Sequence, residues 1–202
     1  MPSAEAALRR LTDPLAKVSA HYLIDEDGTV MRMVDEQRRA WHAGVSSWQG
    51  RAGLNDCSIG IEIVNPGHEW GYRPFAEAQY AALERLCPAI MDRWSIPAAR
   101  VLAHSDIAPE RKEDPGELFD WRRLAQSGVG LWPAPGAGTA RTAGEIQGQL
   151  ARIGYGIAIT DRWDRATRRV LMAFQRHFRP DKVDGEADRD TRAMIDGLLA
   201  ER

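Results

Sequence analysis

The stretch Ala103–Gly116, AHSDIAPERKEDPG, decides how this sequence is read. It sets His104 ahead of Asp114 on one short segment, with Lys112 between them. Imidazole and carboxylate are metal ligands, and an ammonium group stabilises a developing anion. Further carboxylates, the pair Arg111–Lys112 and the prolines Pro109 and Pro115 crowd the same segment. The prolines restrict its backbone, and an ordinary solvated loop has no need of that combination. His104 and Asp114 are therefore read as metal ligands. A catalytic zinc normally takes three protein ligands and leaves one position to water, so a third ligand is expected elsewhere.

Working upstream, RVLAH reads as a strand ending at His104, and the apolar positions Tyr80, Leu83, Leu86, Ile90 and Trp94 keep helical spacing over residues 75–94. SIGIEIV reads as a strand with Ile59, Ile61 and Ile63 on one face and Gly60, Glu62 and Val64 on the other. Glu62 interrupts an otherwise apolar and glycine run. It is either an edge-strand carboxylate facing water or a base beside the metal. In RRAWHAGVSSWQG, His42 stands between Trp41 and Trp48, a composition that suits the wall of a sugar or peptide groove, although Trp41 could equally be core. KVSAHYLID and TVMRMV are two strand-like runs joined by Asp25-Glu26-Asp27-Gly28, a hairpin signal. SAEAALRRL opens on Ser3 as a helix cap and sets Ala4, Ala7, Leu8 and Leu11 on one face. Together these elements predict an α/β fold, a mixed central sheet flanked by helices.

Downstream, VGLWPAPGAGTA at 129–140 replaces periodicity with Pro, Gly and Ala and reads as a linker. Residues 141–202 then read as a small three-helix domain. Thr142 and Glu145 have capping-box spacing. DRATR at 164–168 and DRDTR at 188–192 repeat one helix start, with Asp164 and Asp188 as caps.

With 27 Lys plus Arg against 29 Asp plus Glu, the net charge of −2 argues against a polyanionic partner, so no nucleic acid is expected, although Arg165, Arg168, Arg169, Arg176 and Arg179 cluster. No apolar run approaches the roughly 20 residues of a membrane span. MPSAEAALRRLTDP lacks the apolar region of a secretory signal. Cys57 and Cys87 read as two buried thiols.

VSAHYLID, AWHAG, NDCSIGIEIVN and HSDIAPERKEDPG, in this order and spacing, resemble the zinc-dependent N-acetylmuramoyl-L-alanine amidases of the amidase-2 class, whose fold is shared by peptidoglycan recognition proteins. The resemblance covers about residues 1–125, giving an amidase domain at 1–128. IQGQLARIGY, FQRHF and VDGEADRDT resemble the peptidoglycan-binding domain often appended to such enzymes.

The resemblance implies zinc as cofactor, with ligands at His104 and Asp114. It makes Glu62 the catalytic carboxylate and Lys112 the group that stabilises the oxyanion. Trp41, His42 and Asn65 are expected to meet substrate. The implied reaction is hydrolysis of the amide between N-acetylmuramic acid and L-alanine, in peptidoglycan or muropeptides; separately, the chain is expected to be a monomer. The alternative is a wall-binding protein that has lost zinc and cuts nothing.

In the resembling family the first ligand is a histidine on a strand that precedes the opening helix, and nothing here matches it. That implies a start further upstream, a chain without that ligand and strand, or a substitute in His21 or His42, with His42 the better placed. The compartment stays open: cytoplasmic as written, periplasmic or outer-membrane-associated with an upstream signal.

Overall fold

The structure, a computed structural model, describes residues 3–201 and divides into two compact units. The first comprises the described residues up to Ser46 and Gly53–Ile96; the second comprises Ser47–Ala52 and the described residues from Pro97 onward. In chain order the first half carries α1 (Ala4–Thr12), β1 (Tyr22–Ile24), β2 (Val30–Arg32), β3 (Ser47–Trp48), β4 (Arg51–Ala52), β5 (Ile61–Ile63) and α2 (Glu77–Trp94). After it come α3 (His104–Ile107), α4 (Trp121–Gln126), α5 (Ala143–Ile153), α6 (Arg165–Phe178) and α7 (Arg189–Ala200).

In the first unit the Ser3 hydroxyl accepts the Ala6 N–H at 3.2 Å and starts α1, as the cap predicts. The helix buries Ala7 and Leu11 with Ala20, Leu23 and Val64. The expected hairpin forms, with β1 and β2 antiparallel, and β5 joins β1 in parallel to give the order β2-β1-β5. Leu23 lies opposite Glu62 in this register. Because strand side chains alternate, Glu62 shares the face of buried Val64. It is half-buried on a strand at the edge of the described sheet.

Two buried polar side chains tie α2 down. The Gln79 amide donates to Val64 O at 2.7 Å and accepts the Ala76 N–H at 3.0 Å. At the other end Glu36, whose side chain is 4% exposed, accepts from Tyr22, from Arg93 at 2.6 Å and from Trp94 Nε1 at 2.6 Å. Trp94 thus ends the predicted apolar face by its indole N–H rather than by burial. Burial pushes the Glu36 carboxyl up, but the bonds from Tyr22, Trp94 and Arg93 outweigh it and hold the pKa at about 2. Cys87 is buried, which pushes its thiol up to about 12. Cys57, expected to be buried, is exposed: it closes a surface turn at Leu54–Asp56.

In the second unit the predicted helix starts are present. Thr142 and Glu145 form the reciprocal capping box at 2.7 and 3.2 Å. Asp164 accepts Thr167 N–H at 2.8 Å, and Asp188 accepts Thr191 N–H at 3.0 Å. The repeat runs deeper than the DR-x-TR motif. Buried Gln147 donates to the Thr167 hydroxyl at 2.7 Å and accepts the Thr160 and Asp161 N–H groups. Buried Gln175 donates to the Thr191 hydroxyl at 3.1 Å and accepts Asp184 and Gly185 N–H. Each glutamine satisfies a loop that would otherwise bury bare backbone.

The sequence read as a linker lies along α7. Gly136 N–H donates to Ala193 O at 2.8 Å, and Gly138 N–H to Asp196 at 3.0 Å. A Cβ at Gly197 would stand 1.9 Å from Ala134 O, so this helix needs glycine there for the segment to approach.

RVLAH is not a strand. Residues 101–103 have no ladder partner among the described residues, and His104 opens a one-turn helix instead. The Ala103 N–H that a strand would give to a ladder goes to the Asp106 carboxylate at 2.8 Å.

Candidate active site

His104 and Asp114 meet. Their Nδ1 and Oδ2 atoms are 3.0 Å apart, and the loop between them is closed by Ser105 N–H donating to Asp114 O at 3.0 Å. Arg111 Nη2 lies 3.4 Å from His104 Nε2. Partial desolvation pushes the Asp114 carboxyl up, but the His104 hydrogen bond and the charges of His104 and Lys112 bring it below the usual carboxylate range. The Asp114 side chain is 57% exposed, so water screens these interactions and the pair is open to a ligand. Lys112 is half-buried on the same loop.

Two donors of one tetrahedral zinc, at 2.0–2.1 Å each, stand about 3.3 Å apart. The separation of His104 and Asp114 therefore suits two adjacent positions of such an ion. Among the described residues no group of three His, Cys, Asp or Glu side chains could hold a metal. The described donors fit half of a zinc tetrahedron and do not complete it, so no reaction step is derived through the metal.

Beneath the loop lies a residue whose role the sequence did not disclose. Asp106, fully buried, accepts the Tyr155 hydroxyl at 2.6 Å on Oδ1 and faces His177 Nδ1 at 2.7 Å with Oδ2. Tyr155 and His177 are 49 and 71 residues away along the chain. No local pattern could have paired them.

The other candidates lie in the first unit. The ring of His42 packs on Gly60 so closely that a Cβ there would stand 2.2 Å from it. His42 also meets His21 edge-on, at 5.4 Å between ring centroids. His21 is buried, with Gly60 N–H donating to its Nδ1 at 2.9 Å and its Nε2 3.0 Å from Arg38 O. A ring that accepts at Nδ1 carries its proton on Nε2, so both nitrogens serve the backbone. That removes His21 as a substitute ligand and leaves it as the support on which His42 rests.

Trp41 is 47% exposed, which settles against the core reading and leaves an aromatic face for a ligand. Trp48, its expected counterpart, is buried in the second unit against Tyr155, 5.0 Å between centroids, and Gly154. Asn65 is buried and spans its own loop, donating to Arg73 O at 2.8 Å and accepting Gly67 N–H at 3.0 Å. Four of the five clustered arginines find carboxylates: Arg168 with Glu186, Arg169 with Glu110, Arg176 with Glu113, and Arg179 with Asp188. No described helix is long and apolar enough to cross a membrane.

Residues 1–117 match the family model for N-acetylmuramoyl-L-alanine amidase, and residues 142–195 match that described as "Putative peptidoglycan binding domain". The N-acetylmuramoyl-L-alanine amidase AmiD of Escherichia coli is 42% identical over 96% of this chain and 78% of its own length. The 1,6-anhydro-N-acetylmuramyl-L-alanine amidase AmpD of Haemophilus influenzae is 45% identical over 55% of this chain and 59% of its own.

Among solved structures, that of E. coli AmiD, in complex with anhydro-N-acetylmuramic acid-L-Ala-D-gamma-Glu-L-Lys, superposes with a TM-score of 0.88 at 41% identity. It covers 98% of this chain and 85% of that one. AmpDh3 from Pseudomonas aeruginosa superposes at 0.91 with 32% identity, over 98% and 87%. A mixed α/β fold of this kind, matched to the amidases over more than half of its sequence, places the chain in the N-acetylmuramoyl-L-alanine amidase family.

Proposed function

We propose that this protein hydrolyses the amide between the lactyl group of N-acetylmuramic acid and L-alanine, in peptidoglycan or muropeptides released from it. The observation that carries the reading is the open His104–Asp114 pair, 3.0 Å apart, in a chain 42% identical to AmiD along nearly its whole length.

In this reading His104 and Asp114 are two ligands of a zinc ion. When bound, such an ion polarises the scissile carbonyl and acidifies a water molecule. Glu62 would take a proton from the attacking water as its oxygen adds to the carbonyl carbon, and return it to the alanine nitrogen as the C–N bond breaks. The ammonium of Lys112 stabilises the oxyanion of the tetrahedral intermediate. Trp41 and His42 supply the apolar and edge-polar surface a sugar or stem peptide needs. Domain limits of 1–128 and 141–202, with the latter holding the protein to wall, complete the proposal and are supported by the two family matches.

The test is mass spectrometry of anhydro-muramoyl-L-alanyl peptide after incubation with the protein and added zinc. Release of a free stem peptide with an L-alanine amino terminus is expected. Glu62→Gln should abolish that release while leaving the protein's zinc content as in wild type. Intact substrate beside a folded protein that pellets with sacculi would replace the amidase reading with the non-catalytic wall-binding one.

A further inference from the structure

We propose that Asp106 is a positioning residue for His104, and that Tyr155 and His177 from the C-terminal helical segment hold it there. The segment would then take part in turnover as well as in wall attachment. The inference rests on the assignment of His104 to the reaction centre.

His104 sits on a helix of four residues, closed by Ala108 N–H donating to His104 O at 3.0 Å. One turn is far below the length at which a helix sustains itself in water, so its geometry must come from outside. Asp106 supplies it: Oδ2 takes the Ala103 N–H at 2.8 Å, which fixes the residue just before His104. That carboxylate cannot swing, because Tyr155 holds Oδ1 and His177 faces Oδ2.

His177 is committed to this contact. Its ring stacks on Trp121 and Phe178 at 4.0 and 3.9 Å, and its buried Nε2 has no hydrogen-bond partner among the described residues. Tyr155 is fixed in turn by its edge-on packing with Trp48 and Phe174. The far side of the loop is pinned from α6 as well. Arg169 donates to Glu110 O at 3.2 Å, and Arg176 pairs with Glu113 at 3.1 Å. One helix therefore grips the His104–Asp114 loop from beneath and along its edge. A misplacement of about 1 Å at a reacting group costs on the order of 100-fold in rate.

The experiment uses the full chain with Tyr155→Phe, His177→Leu and His177→Asn, the last offering an amide N–H where Nδ1 stands. The substrate is soluble anhydro-muramoyl-L-alanyl peptide, which separates turnover from attachment to polymer, assayed with zinc supplied. Amide hydrogen exchange at Ser105, whose N–H closes the loop onto Asp114, is read in parallel.

Tyr155→Phe and His177→Leu should lower kcat by about tenfold or more with KM within about twofold. They should speed Ser105 exchange while amides in α5 and α7 keep their protection, and His177→Asn should recover most of both losses. Unchanged kcat and unchanged Ser105 exchange would overturn the proposal. So would a His177→Asn protein no better than His177→Leu. A wild type that turns over nothing would refute the amidase reading instead, and Ser105 exchange would still decide whether Tyr155 and His177 hold the loop.

Discussion

The second unit contains two His–Asp pairs of nearly equal length and opposite character. His104 and Asp114, 3.0 Å apart, have side chains 18% and 57% exposed; His177 and Asp106, 2.7 Å apart, are 2% and 1% exposed. The first pair is joined over a short loop and its carboxylate faces water, so a ligand can approach it. The second is joined across the fold and sealed by aromatic rings, so its polarity is consumed in holding structure. The same two residue types are open to a ligand in one place and give rigidity in the other. Exposure and partners, rather than residue identity, make the difference.

The largest effect should come from breaking the open pair. Asp114→Asn is expected to lower amidase turnover on the order of 100-fold or more, yet to change unfolding free energy by less than about 1 kcal/mol, as for other exposed pairs. Steady-state kinetics and urea denaturation of one preparation check both halves. A stability loss as large as the kinetic one would erase the contrast.

The buried pair should behave in the reverse way. Asp106→Ala strands the Tyr155 hydroxyl, His177 Nδ1 and the Ala103 N–H, each at a cost of about 1–3 kcal/mol. A total destabilisation of about 3 kcal/mol or more is expected by denaturant titration. A shift below about 1 kcal/mol would mean that water enters the site and replaces the carboxylate.

A second buried acid sharpens the comparison through pH. Glu36 is held at about 2 by Tyr22, Trp94 and Arg93, against an ordinary 4.5. A depressed carboxyl stabilises the fold above its unfolded pKa, and that contribution is lost as pH falls through the folded value. Glu36→Gln should thus cost about 1.5–3 kcal/mol at neutral pH. The wild-type and variant stabilities should converge between pH 4.5 and about 2. A difference independent of pH would show that shape rather than charge matters at this position.

The smallest expected effect tests a segment that the sequence presents as slack. Helix propensity alone favours Gly197→Ala by about 1 kcal/mol, but the added Cβ would meet Ala134 O at 1.9 Å. Net destabilisation of about 1 kcal/mol or more is expected on thermal unfolding. A stabilised variant would mean that residues 129–140 lie only loosely on α7.

These cases show where sequence reading works. The starts of α1, α5, α6 and α7 were legible because a cap and the N–H it accepts lie within three residues. The hairpin of β1 and β2 was legible for the same local reason. His104 and Asp114 were legible as a pair because one short loop carries both. RVLAH misled because an apolar run has strand composition whether or not a partner strand exists. That the run at 129–140 lies along α7 was not legible, because glycine and alanine serve close packing as readily as flexibility. Gln147 and Gln175 passed unnoticed as polar residues on apolar helix faces. Their purpose appears only when the loop each one satisfies is folded over it.

By itself, then, the sequence determined the hairpin, the helix starts set by caps, the family and the candidate donors. All of these depend on groups close along the chain or on motifs read in order. Only the tertiary structure decided that His21 is a backbone support, that Cys57 is exposed, and that Asp106 ties the one-turn helix at His104 to Tyr155 and His177. Burial and long-range hydrogen bonding set those roles. Both arise when residues far apart in the chain exclude water from one another.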